Sequence, residues 1–108
     1  MRAKAHADPL DRATHHGMTS DQVWARCQRY QVDHIVQAAA DECRVTPGEV
    51  CSASRTHRVS KARAVAWGKL RAHGWSLMEI AALFDRDHSS VSHGLRRLAE
   101  RAARGAKG

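Results

Sequence analysis

The stretch Asp85-Arg86-Asp87-His88-Ser89-Ser90-Val91-Ser92-His93 gathers short polar side chains where a helix is expected to start. The first backbone N–H groups of a helix have no partner within it and attract phosphate. Serine hydroxyls at such a place bond phosphate oxygens or the edges of bases. Asp85, Asp87, His88 and His93 could in principle move protons, but they form no nucleophile, base and orienting group in one set. The chemistry this spacing supports is binding rather than catalysis. No cofactor loop accompanies it, and no cofactor is expected.

Charge points the same way. The 108 residues carry 18 Lys+Arg against 11 Asp+Glu, a formal net charge of +7. Residues 1–51 hold six basic and seven acidic side chains, whereas residues 52–108 hold twelve and four. The whole excess therefore lies in the second half. A polarised charge implies a binding face for an anionic partner, with nucleic acid first among the candidates.

Other chemistries are poorly served. Cys27, Cys43 and Cys51 make an odd count without a CxxC, and no secretory signal core precedes them. Free thiols and a cytoplasmic location are expected. The eight histidines do not fall at metal-ligand spacing: His15 and His16 are adjacent, and His88 and His93 are five apart, so no closed ligand set forms. No apolar run approaches the length of a membrane span.

These residues need elements to position them. Low aromatic content (5%) with abundant Ala, Arg, Leu and Val favours helices over strands. Residues 1–18 are polar, aperiodic and interrupted by Pro9 and Gly17, which reads as a disordered tail. Residues 19–31 form an N-terminal helix or extension. Thr19 is a candidate cap with Gln22 three residues later, and Val23, Trp24, Cys27 and Tyr30 make a stripe. Asp33 is expected to cap the next helix, whose core face is Ile35, Val36, Ala39, Ala40 and Cys43 and whose end is Arg44-Val45.

Thr46-Pro47-Gly48-Glu49 is a capping box opening one short turn of helix, Pro47 to Cys51. Residues 52–58 then read as a loop carrying Arg55, His57 and Arg58. From Ser60 a helix places Ala62, Val65, Ala66 and Leu70 on one face, with Lys61, Arg63, Lys69 and Arg71 elsewhere, and closes at His73-Gly74. Ser76 and Glu79 open another helix with Leu77, Ile80, Ala81, Leu83 and Phe84 inward. After the turn Asp85-Arg86-Asp87, a final helix of about 16 residues, capped by Asp87, carries Val91, Leu95, Leu98 and Ala102. Residues 104–108 read as a frayed end. Two helices joined by a short turn, the second rich in arginine, make a helix-turn-helix pattern.

Arg86-Asp87-His88-Ser89-Ser90-Val91 resembles the Arg-Asp-His-Thr-Thr-Val signature of the C-terminal DNA-binding family of DnaA, the bacterial replication initiator. Ser76-Leu77-Met78-Glu79-Ile80 with Phe84 is similar to the first helix of that family's helix-turn-helix. Ser60-Lys61-Ala62-Arg63-Ala64-Val65-Ala66 is similar to its arginine-bearing helix start, and Val32-Asp33-His34-Ile35 to its opening. The resemblance spans about residues 32–101. It implies an all-α, small multi-helix bundle of the DnaA C-terminal or Trp-repressor kind, with a domain over residues 32–103, and double-stranded DNA as partner. It also implies roles. Asp87, His88, Ser89 and Ser90 match the positions that read a major groove, beside Arg86 of the signature. Arg55 matches an arginine that enters the minor groove, and Arg63 one that contacts a guanine. Lys61 and Arg71 match basic positions near phosphate.

The sequence departs from the family's pattern at named places. Ser89 and Ser90 stand for threonines, so methyls that can touch a thymine methyl are missing. Asp85 occupies a turn where the family usually has one more, Gly-like residue, and Ala64 a place where a polar residue is common. No GxxxxGK[ST] occurs, so the expected protein is a stand-alone DNA reader without the initiator's AAA+ ATPase. The expected setting is the nucleoid, in replication control or transcription regulation; a phage or mobile-element factor fits. In the alternative reading, residues 19–31 bind a replication or transcription protein and the DNA-binding domain serves for localisation. That requires Trp24 and Tyr30 to be exposed rather than packed. Trp67 and Trp75 are expected in the core or at its edge.

Overall fold

The computed structural model describes residues 17–107, and residues 1–16 of the expected tail lie outside them. The described residues form six helices and no strand: α1 (Ser20–Arg29), α2 (Asp33–Cys43), α3 (Pro47–Cys51), α4 (His57–Ala72), α5 (Leu77–Leu83) and α6 (His88–Lys107).

Local chemistry sets most of the boundaries. Three helices open on reciprocal capping boxes, Thr19/Gln22, Thr46/Glu49 and Ser76/Glu79. Each hydroxyl takes a backbone N–H that the helix cannot satisfy, and each N3 side chain accepts from the cap residue's own N–H. Leftward turns of the chain close two others. Arg44 adopts φ 60 after α2, and Gly74 adopts φ +94 after α4, where a side chain would be strained.

Four boundaries differ from the sequence expectation. Asp33 is the first residue of α2 rather than its cap; the cap is Val32, which makes no side-chain hydrogen bond. The Asp33 carboxylate still suits the positive end of the helix. α4 begins at His57, not Ser60, so only residues 52–56 remain as loop. Its cap, Thr56, makes no side-chain bond, and Val59, 3% exposed, anchors the added turn in the core. α6 runs 20 residues to Lys107, through most of the segment expected to fray. Met18, assigned to the tail, is instead half-buried against the core.

α4 is the central element. It packs against α2 and α6, and more lightly against α3 and α5. Val36, Val50, Leu70, Ile80, Leu83 and Val91 are fully buried around it. Side chains of this size contribute about 1.5–3 kcal/mol each when removed from water. Trp67 and Trp75 are core residues, as expected, at 5% and 2% exposure. Trp67 meets Phe84 edge-on at 6.0 Å, and Tyr30 meets Trp75 edge-on at 6.1 Å. Trp24 and Tyr30 are packed on the core, so α1 is part of the bundle.

α6 approaches α4 closely at two glycines: a Cβ on Gly68 of α4 would lie 3.2 Å from Leu98 Cδ2, and Gly94 of α6 is tighter still. A Cβ on Gly94 would lie 2.7 Å from Trp67 Cζ3. The seam therefore seats the first half of α6 against Trp67 and leaves its N-terminus at the surface.

Candidate nucleic-acid interface

α5, the turn Asp85-Arg86-Asp87 and α6 build the helix-turn-helix. The Asp87 carbonyl accepts from Ser90 N at 3.0 Å and Val91 N at 3.3 Å, which starts α6. Val91 points into the core with no exposure. The same helical geometry leaves Asp87, His88, Ser89 and Ser90 exposed. Val91 is thus the pin, and the preceding residues are the presented edge.

From that edge a cleft of about 390 Å³ runs between the first turns of α4 and one face of α6. Arg55, Lys61, Arg63 and Arg86 line it from the α4 side and the turn; Ser90, His93, Arg97 and Arg101 line it from α6. No Asp or Glu lies among its lining residues. Ser90, His93, Arg97 and Arg101 share a helix face by their three- and four-residue spacing. That spacing was present in the sequence; His57, Ser60, His93, Arg97 and Arg101 line the cleft but are not among the residues that sequence reasoning assigned to binding.

Arg63 corrects the sequence expectation. Rather than presenting its guanidinium to a base, it is 4% exposed. Its Nε donates to the Val50 carbonyl at 3.1 Å, and its Nη2 to the Ser52 and Ser54 carbonyls at 2.7 and 2.9 Å. A guanidinium committed to three carbonyls cannot form a bidentate fork on guanine without leaving them. Its work is to hold loop 52–56, which carries exposed Arg55. Arg86 Nη2 donates to the same Ser52 carbonyl at 2.8 Å. Two guanidinium groups converging on one loop tie it to both α4 and the turn.

The convergence has an electrostatic signature. Burial, with the Arg86 charge added, pulls Arg63 down to about 10. Burial, then the Arg55 charge, also lowers Arg86, while Asp85 opposes the shift. Both remain cations at neutral pH, so the cleft keeps its charge.

The remaining assigned residues separate. Lys61 is exposed on the first turns of α4, beside the cleft. Arg71 sits ten residues further along α4, about 15 Å by helical rise. There its Nη1 donates to the Trp75 carbonyl at 3.0 Å. The structure does not bring Arg71 to the cleft. Among the described residues no cluster of three His, Cys, Asp or Glu could hold a metal, and no helix is long and apolar enough to cross a membrane.

Among the described residues, six helices present a polar helix N-terminus beside a cationic cleft, the arrangement of a helix-turn-helix domain. The model of one such family, described as the bacterial dnaA protein helix-turn-helix, matches residues 32–98. The chain belongs to that family. No match to the chain was found among curated proteins or among solved structures.

Proposed function

We propose that this protein binds double-stranded DNA sequence-specifically, at a site resembling a DnaA box, and acts by occupying it rather than by catalysis. The observation that carries the reading is the acid-free cationic cleft running from the exposed Asp87-His88-Ser89-Ser90 edge of α6. In this reading the edge enters the major groove, where Ser89, Ser90 and His88 meet base edges and phosphates. Asp87 starts the helix and accepts from a cytosine amine. Arg55, on its tethered loop, reaches the adjacent minor groove, which favours a cation where it is narrow and AT-rich. Lys61 and Arg97 hold the backbone across the cleft. Arg63 and Arg86 act through the loop and turn they fix. Arg71 contributes at most an outlying phosphate contact. Such a reader regulates replication or transcription from the nucleoid, by competing for boxes or by marking them.

Selection of bound duplexes from a random pool tests this. A single enriched motif is expected, with log K falling against log salt at a slope of about −4 to −5 for roughly five phosphates. No enriched motif, or a slope near zero, would refute it. Replacing Arg55 by Ala is expected to weaken binding more with AT-rich than with GC-rich flanks.

A further inference from the structure

α1 and the residue before its cap precede the segment that matches the family, yet they reach into the helix-turn-helix. Met18 N donates to Asp85 Oδ2 at 2.9 Å, a contact between residues 67 apart in the chain. Arg26 Nη1 donates to the Ala82 carbonyl, in the last turn of α5. The same carbonyl accepts from Asp85 N at 3.2 Å, so Arg26 adds a second donor where the turn leaves α5. Val23 and Cys27 hold α1 down through full burial. Met18 and Val23 on one side and Phe84, Asp85, Asp87 and Ser90 on the other line one recess of about 250 Å³.

The point of attachment is the least relaxed part of the turn. Asp85 has φ 58, a left-handed conformation that an L residue adopts at a cost. Aspartate tolerates it better than most residues because its short side chain finds local or nearby donors. Here the carboxylate receives a donor from the N-terminal segment, so the side chain and the strained backbone are fixed together. The next residue, Arg86, ties the loop of Arg55 to the turn through Ser52. The residue after that starts the recognition helix.

We infer that residues 18–29 form a clip that locks the turn between α5 and α6, with Asp85 as the positioning residue that sets the aim of α6 and of the Arg55 loop. The clip touches no DNA, and its effect on readout rests on the DNA-binding reading above.

Two pairs of variants separate the clip from plain structural support. Asp85→Gly removes the acceptor while relieving the left-handed strain; Asp85→Asn keeps an oxygen acceptor. Met18→Pro removes the donor N–H outside the helix; Met18→Ala removes the same side-chain bulk and keeps the N–H. Amide exchange of residues 86–91 is measured on the full chain without DNA, well below its melting temperature. Exchange is expected to quicken about tenfold in Asp85→Gly and Met18→Pro relative to Asp85→Asn and Met18→Ala, the low end for a hydrogen bond to a charged acceptor. The ratio of selected-motif to random-duplex affinity is expected to fall by a similar factor in the same two variants and to be rescued in Asp85→Asn. Unchanged exchange overturns the clip, whether or not a preferred duplex exists. Quickened exchange with an unchanged affinity ratio overturns its role in aiming α6. A wild-type chain that selects no duplex refutes the functional reading instead, and exchange alone then decides whether the turn is locked.

Discussion

Arg55 on one short loop and Arg63 in the helix that follows it carry the same guanidinium, yet they face opposite ways. Arg63 lies inside, donating to Val50, Ser52 and Ser54. Arg55 stands in water on the loop those bonds hold. The difference is the supply of carbonyls. The end of α3 and the loop after it turn several backbone oxygens inward, and a buried backbone oxygen needs a donor. Arginine fills three such vacancies with one side chain. A basic residue in this protein is therefore a structural donor where the backbone is short of donors, as Arg63 is, and faces solvent where it is not, as Arg55 does.

The largest effect should come from removing the inner arginine. Arg63→Ala strips donors from three carbonyls and is expected to cost about 2–4 kcal/mol of unfolding free energy in a denaturant titration. Motif-specific and random-duplex binding should weaken together, because the loop is left with only the Arg86 bond to the Ser52 carbonyl among its arginine ties. Arg63→Ala with full stability and a selective loss of motif binding would reverse the comparison and restore Arg63 as a base reader.

Gly94→Ala comes next, because it presses the seam that carries the recognition helix. Trp67 Cζ3 lies 2.7 Å from the added methyl, so α6 or the indole must shift. Overpacking of this kind costs about 1–3 kcal/mol. The better helix propensity of alanine returns up to about 1 kcal/mol. A net loss of roughly 1–2 kcal/mol is expected in thermal or denaturant unfolding. An unchanged midpoint would show that the seam is looser than its geometry.

The outer edge should behave in the opposite way to both. Ser90→Ala and His88→Ala sit on exposed residues and are expected to leave stability within about 0.5 kcal/mol. Each should cost about 1–3 kcal/mol of discrimination between the selected motif and a version mutated at the contacted base. Competition binding measures this. Equal loss on both duplexes would place these side chains on phosphate and leave the base readout to other residues.

The two regions were not equally legible from sequence. The three capping boxes, the core faces of α2 and α4, and the helix-turn-helix itself follow from chemistry spaced three or four residues apart. A single chain displays such spacing directly. The start of α4 at His57 was hidden because Thr56 makes no side-chain cap and Val59 is a lone apolar residue among polar ones. The exposed edge at residues 87–90 was readable because a helix start and its polar side chains are local. The inward turn of Arg63 was not, since its acceptors lie 9 to 13 residues away on a different element. The bond between Met18 and Asp85 has no local signal of any kind. Resemblance placed Arg63 on a base because it transfers position and residue type. What the position faces is decided by the packing of this chain.

Arg71 gives the smallest effect and the finest cut. It is exposed, like Arg55, but it already donates to the Trp75 carbonyl, like Arg63, and it lies at the far end of α4 from the cleft. Losing one bond to a carbonyl at an exposed site should cost less than about 0.5 kcal/mol of stability. If Arg71 lies clear of the DNA path, Arg71→Ala leaves the salt slope of binding unchanged. If it touches one phosphate, the slope becomes shallower by about 0.9. The expected outcome is no change, because a duplex seated on the α6 edge and the cleft has its contacts at the other end of α4. A shallower slope in Arg71→Ala, alongside an unchanged slope in Arg97→Ala, would move the DNA path off the cleft and along the length of α4. In that case the cationic cleft between α4 and α6 would lose its claim to the backbone.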